Sequence, residues 1–322
     1  MTNALPYKTK QFFFALIKLS IVVGAFYFIY NKLTNNDKLD FSEFVGFLKE
    51  KAIFSTKNII FLVFLTLFNW FFEIIKWRVL ISFIKKVTFF EALQQSLGSL
   101  TASLFTPNRI GEYGAKAIYF ARQYRKKVLL LNLISNVMQM SITVILGCIG
   151  FWFFASNYTI DIDYFRISRF AIIILVVLSL SVIGVKQNRY KVKGFKIDKL
   201  LRFVKDLPAK LIVLGLLYSL LRYFIFSFQF YFLLQLFGIN IIYIDAMIVI
   251  TSMYLLSSII PSIFLFDVII KGSVAVYLFS FTGINEFTIL CVVTLMWLLN
   301  FVLPSIFGSY YVLNFNLPKD EA

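Results

Sequence analysis

Six runs of this chain, 12–30, 59–80, 128–154, 167–185, 211–237 and 287–313, are largely apolar. As helices rising about 1.5 Å per residue, each is long enough to cross about 30 Å of hydrocarbon. A segment that crosses lipid must satisfy its own backbone hydrogen bonds, which leaves only helices or a closed barrel. Strand-length alternation of apolar and polar residues is absent, so helices are predicted. The rest of the composition agrees: 60% of the 322 residues are hydrophobic and 40 are Phe, more than a soluble domain can bury. The expected fold class is an all-α integral membrane protein with about six full transmembrane helices, one domain over 1–322. The run 12–30 follows basic residues but has no small-residue cleavage site after it, so it is expected to stay as an anchor.

The formal charge is +16, and its distribution decides what it means. Eight basic residues and one acid, Asp198, fall within 186–205, and Arg122, Arg125, Lys126 and Lys127 form a second cluster. Both flank apolar runs, where the positive-inside rule places them in the cytoplasm near anionic headgroups. Nucleic acid is therefore not an expected partner; membrane lipids are. The two cysteines, Cys148 and Cys291, both lie in apolar runs and read as packing residues rather than a disulfide or metal pair. The chain has no histidine, which removes histidine-dependent triads, zinc-protease motifs and histidine proton relays. No cofactor and no metal are expected. Asp161 and Asp163 spell D-x-D in a loop with no nucleotide-binding fold around it, and read as a chance match.

With Lys8 and Lys10 inside, the runs predict both termini in the cytoplasm and a cytoplasmic basic loop at 186–208. Residues 31–58 fall outside; within them 41–54 has the apolar spacing of an interfacial helix. Two segments do not fit as simple spans. Residues 92–106 make a helix only about 22 Å long, broken at Pro107 and Gly111, with a second short helix leading to the basic cluster at 122–127. A matching pair, 246–264 and 268–281, is broken near Pro261. Both read as helical hairpins that enter and leave on one side of the membrane.

The two halves, approximately 59–155 and 211–313, share landmarks. Phe83, Phe89, Glu91 and Ala92 line up with Phe237, Tyr243, Asp245 and Ala246; the proline follows the acid by the same interval in each. Glu112 and Lys116, and Asp267 and Lys271, are both acid-then-lysine pairs four residues apart. Because three spans separate the copies, they are predicted to be inverted in the membrane, as in alternating-access transporters.

Non-helical backbone at membrane depth is tolerated where protein buries it or where it lines a wet cavity. Pro107–Gly111 and Pro261–Asp267 therefore point away from lipid. The helix starts beyond them would present backbone donors, and Arg109 a planar guanidinium suited to phosphate oxygens. The Glu112–Lys116 and Asp267–Lys271 pairs have the favourable orientation for an ion pair and could open to meet a headgroup amine and phosphate. Arg222 reads either as a residue of the same cavity or as a structural charge. Glu73, Lys76 and Arg78 lie near a cytoplasmic helix end, where snorkelling accounts for the bases.

The segment Thr106-Pro107-Asn108-Arg109-Ile110-Gly111-Glu112, with Arg122 downstream and the proline at Pro261, resembles the lysylphosphatidylglycerol synthase transmembrane family. This is the flippase-like domain of bacterial multiple peptide resistance factors and of many stand-alone proteins. The second motif differs from the family's glycine-rich form, reading PSIFLFDVIIK with no glycine until Gly272. The resemblance implies a bacterial inner-membrane lipid translocator; with the acid–lysine pairs and Arg222 read above, Pro107, Asn108, Arg109, Gly111, Glu112, Lys116, Arg222, Pro261, Asp267 and Lys271 are the expected substrate-binding set. No soluble aminoacyltransferase domain is expected after Ala322, so a separate lipid-modifying enzyme would be a partner. Two alternatives stand beside it. One is an intramembrane enzyme or accessory protein for polyprenyl-linked glycan or lipid modification, with Glu112 or Asp267 as general base; it is disfavoured by the missing histidine, and no enzyme is expected. The other is a scaffold whose charges only fix helix packing.

Overall fold

The computed structural model describes residues 55–104, 106, 111–158, 202–259 and 267–316, with five isolated positions between Leu19 and Gly46; side chains at 267–270 are not described. Apart from those isolated positions, the predicted span at 12–30 and the interfacial segment 41–54 fall outside these residues, as do the span at 167–185 and most of the basic loop 186–208. Among the described residues the chain is helical, without strands. Four helical segments are long and apolar enough to cross a membrane: Thr56–Ile81, Arg125–Asn157, Ala209–Leu236 and Glu286–Leu313. They coincide with four of the six predicted runs.

The elements come in one order, twice. α1 (Thr56–Ile81) is followed by the short α2 (Phe89–Ser103), the shorter α3 (Gly111–Ile118) and the long α4 (Arg125–Asn157). Then α5 (Ala209–Leu236) is followed by α6 (Tyr243–Ile259), α7 (Asp267–Ser280) and a long helix formed by α8 (Glu286–Trp297), a π turn at Leu298–Val302 and α9 (Leu303–Leu313). The first two helices start at side-chain caps. Ser55 Oγ caps α1 by accepting from the Asn58 N–H at 3.4 Å. Thr88 and Glu91 form a capping box on α2: Glu91 N–H donates to Thr88 Oγ1 at 3.2 Å and Thr88 N–H to Glu91 Oε2 at 2.6 Å. The acid that serves as a repeat landmark is thus a helix-start residue, and Asp245 lies in the first turn of α6.

Each short helix reaches across to the long helix of the other half: α2 packs on α9 and α6 on α4, while α1 packs along α5. Glycines set the two crossings. A Cβ at Gly308 of α9 would stand 2.2 Å from both Leu97 O and Thr101 Oγ1 of α2. At Gly150 of α4 it would stand 1.8 Å from Thr251 Oγ1 of α6. Small residues that let helix backbones meet are a recurrent device of membrane bundles, where burial of oil against oil supplies no drive.

Sidedness on α1 and α4 departs from that of a soluble protein's helices. On α1 the outer face carries Ile60, Phe64, Leu67 and Phe71, all exposed, while the buried face carries Thr66, Asn69, Glu73 and Lys76 among Leu62, Trp70 and Trp77. The same holds on α4, with Val137, Ile145, Ile149 and Trp152 outward and Asn132 and Ser135 inward. Apolar surface outside and polar groups inside suit a bundle whose surroundings are hydrocarbon. Cys291 is buried, as its place in an apolar run predicts, but Cys148 is exposed on α4 and packs in no core. Phe203 and Leu207, at the end of the predicted basic loop, are buried against the first half's core, with Phe203 edge-on to Phe83 at 5.5 Å.

Candidate functional site

Thr66, Asn69, Glu73 and Lys76 follow the three- and four-residue spacing of one helix face, so α1 lays a polar stripe into the bundle. α5 lies against it and brings Arg222; α3 brings Glu112 and Lys116; α4 brings Asn132 and Gln139. Glu73 is the shared anion. Lys76 Nζ sits 2.9 Å from Glu73 Oε2, Arg222 Nη1 bonds the same oxygen, and Lys116 Nζ lies 3.9 Å from Glu73 Oε1. Lys116 Nζ also pairs with Glu112 Oε1 at 2.9 Å, donates to Asn132 Oδ1 at 3.0 Å and stands 4.5 Å from the Trp77 ring centroid.

Among the described residues three cations, Lys76, Lys116 and Arg222, therefore face two carboxylates, Glu73 and Glu112, an excess of one positive charge. Burial makes that surplus costly unless an anion meets it. The lysine side chains are each 1% exposed, whereas the Arg222 side chain is 19% exposed and is the open member. Among the described residues Nε serves Asn69 and Nη1 serves Glu73 and Gln139, which leaves Nη2 to donate to the oxygens of an anion.

From Arg222 the polar line continues along the bundle. Arg222 Nε donates to Asn69 Oδ1 and Nη1 to Gln139 Oε1, both at 3.2 Å. Asn69 Nδ2 donates to Asn300 Oδ1, Asn300 Nδ2 to Gln229 Oε1, and Gln229 Nε2 to Thr66 Oγ1, each at 2.9 Å. The π turn puts Asn300 in this line. Pro304 has no N–H to return to the Asn300 carbonyl four residues back, and Trp70 Nε1 donates to that oxygen at 3.1 Å.

The sequence-predicted site residues divide into three groups. Glu112, Lys116 and Arg222 come together in the buried cluster, and Gly111 begins α3, its N–H donating to Thr106 Oγ1 at 2.9 Å. Lys271 is on α7 with Nζ 5.7 Å from the Phe301 ring centroid. Pro107, Asn108, Arg109 and Pro261 lie outside the described residues, and Asp267 opens α7 with its side chain undescribed. Glu73 and Lys76 overturn an expectation. They do not snorkel to the cytoplasmic edge but are buried, at 7% and 1% exposure, because they share the inward face of α1. The polar members Asn69, Gln139, Gln229 and Asn300 were not singled out from sequence. Their signal was there: uncharged amides inside apolar runs, on α1 at helical spacing with Glu73.

The family model described as the lysylphosphatidylglycerol synthase TM region matches residues 15–308, nearly the whole chain. No curated protein and no solved structure matches the chain. The match covers three of the four spans whole and most of the fourth, both short-helix pairs and the five charges of the buried cluster. This multi-pass, all-helical membrane protein belongs to the lysylphosphatidylglycerol synthase transmembrane family.

Proposed function

We propose that this protein is a lipid translocator that moves an anionic or zwitterionic phospholipid, or a lipid-linked intermediate, between the leaflets of a bacterial inner membrane. The observation that carries the reading is the unbalanced charge of the buried cluster. A phosphodiester brings one negative charge and several acceptor oxygens, which neutralises the surplus beside Arg222. Family membership supports a lipid-related role, and the chain's own residues suggest what is held and where.

The arrangement of the halves supports alternating access. In the alignment that sets Glu91 on Asp245, Leu97 falls on Thr251 and Thr101 on Leu255. These are the residues that meet glycines of the opposite long helix: Leu97 and Thr101 meet Gly308, and Thr251 and Leu255 meet Gly147. Equivalent residues making equivalent crossings are what an inverted repeat produces. In this reading the predicted spans at 12–30 and 167–185 complete six, both termini are cytoplasmic, and Lys271 and Asp267 serve the second half as Lys116 and Glu112 serve the first. The protein acts as a carrier, and an enzyme that makes or consumes the lipid is a separate partner.

The experiment is leaflet exchange of an acyl-labelled phosphatidylglycerol in proteoliposomes at matched protein content. Losing a buried charge–phosphate contact costs about 2–5 kcal/mol, so Arg222→Gln slows exchange by at least about thirtyfold. Arg109→Ala is also expected to abolish it. Exchange by Arg222→Gln at the wild-type rate would remove the phosphate from this cluster. The scaffold reading draws on how fully the five charges pair with one another; it prevails if wild-type liposomes exchange no faster than empty ones.

A further inference from the structure

Among the described residues Arg222 is held by one carboxylate and two neutral amides. Its Nε donates to Asn69 Oδ1 and its Nη1 to Gln139 Oε1, both at 3.2 Å, while Glu73 shares Nη1. Gln139 makes a second contact on the same helix: its Nε2 donates to the carbonyl of Ser219, one turn before Arg222, at 3.2 Å. This one side chain of α4 therefore grips both the guanidinium and the backbone that carries it. It does so without charge. An amide oxygen accepts a hydrogen bond as a carboxylate does but cancels no positive charge. Lys76 pairs with Glu73 and Lys116 with Glu112, each at 2.9 Å, so Arg222 is the cation without a carboxylate of its own. Gln139 and Arg222 are also the half-buried members, whereas both lysines are closed off.

We propose that Gln139 is the specificity-determining residue of the cluster: by holding Arg222 with a neutral amide, it makes the site select a phospholipid of net negative charge over a zwitterionic one. The inference rests on the phosphate-binding reading of the Glu73–Arg222 cluster and narrows the lipid that this cluster takes. A phosphodiester with an uncharged headgroup brings one negative charge and balances the excess. A zwitterionic headgroup brings an ammonium as well and leaves the excess where it was. Glu73 and Glu112 are both engaged by lysines, so meeting that ammonium means breaking a buried pair. Withholding a counter-charge from a rival separates two ligands as surely as adding contacts to the favoured one. Glutamate at 139 undoes the selection on both counts, since it cancels Arg222 and offers an ammonium a carboxylate.

Acyl-labelled phosphatidylglycerol and phosphatidylethanolamine are compared in proteoliposomes of the full chain. Wild type exchanges phosphatidylglycerol at least about tenfold faster, and in Gln139→Glu the two rates converge to within about twofold or reverse. Gln139→Met removes the grip but keeps the charge balance, so both rates fall while their ratio stays above about fivefold. A side chain that only ties α4 to α5 gives the same ratio in both variants. Equal rates in wild type, or a ratio that Gln139→Glu leaves unchanged, overturn the assignment. Binding is read separately in detergent. Dihexanoyl phosphatidylglycerol raises the melting temperature of the wild type more than dihexanoyl phosphatidylethanolamine or inorganic phosphate does. Asn69→Asp, which sets a carboxylate on Nε from α1, removes that difference and stands in should Gln139→Glu not fold. Equal shifts from the two lipids overturn the selection, and inorganic phosphate matching phosphatidylglycerol overturns the lipid assignment in favour of a free anion. Selective shifts without exchange in wild type uphold the charge selection and remove translocation; no shift and no exchange remove the phosphate reading with it.

Discussion

Replacing Glu73 by Gln keeps the side chain's size and removes the one carboxylate that Lys76, Lys116 and Arg222 share. Glu112 then stands alone against three cations, and the buried surplus rises from one positive charge to two. Breaking a buried ion network by deleting one partner costs about 3–5 kcal/mol, chiefly from the charges left uncompensated. For a protein of this size that lowers the melting temperature on the order of 5–15 °C. Thermal unfolding of purified protein in detergent measures it. The charge account makes a second, sharper demand. Glu73→Gln combined with Lys76→Met removes one charge of each sign, so the double variant is more stable than Glu73→Gln alone. In a double-mutant cycle the two substitutions couple by about 1–3 kcal/mol. Glu73→Gln melting with wild type, or additive losses in the double variant, would show that Glu73 is not the common counter-charge.

Two further outcomes test the scaffold that holds the site. Gly308→Val presses a branched side chain on the Leu97 carbonyl, where a Cβ alone would stand at 2.2 Å; separation of α2 from α9 costs about 1–3 kcal/mol, read as a lower melting temperature, and an unchanged value refutes the close crossing. Thr88→Ala removes the cap on α2 and costs about 1 kcal/mol, with hydrogen exchange rising at the first turn, at Glu91 and Ala92; protection equal to wild type refutes the cap.

The long helices were legible because a membrane span must be long, apolar and self-bonded, and no tertiary detail alters that demand. α2 ends at Ser103 and α3 begins at Gly111, on either side of the break predicted at Pro107, while Pro107 and Pro261 themselves lie outside the described residues. Short α2 was legible in length but shifted by a few residues, since the capping box at Thr88 and Glu91 starts it before the apolar stretch. The depth of Glu73 and Lys76 was not. A lysine near a helix end can reach water or turn inward, and which happens depends on where α5 lies, not on the lysine's neighbours in sequence. Arg222 illustrates the converse, a charge whose depth was visible and whose partners were not. The π turn could have been suspected from Pro304, but that Trp70 would serve the freed carbonyl required the packing of α1 beside it.

The last long helix is pinned at its weakest point by a side chain from elsewhere. At Asn300 the ordinary backbone bond is missing, and the indole of α1 holds the carbonyl in its place. A flexing of α9 against α8 must therefore either carry Trp70 along or let go of it. Trp70 lies three residues from Glu73 on the same helix, so this one bond ties the break in the final helix to the rod that carries the shared carboxylate.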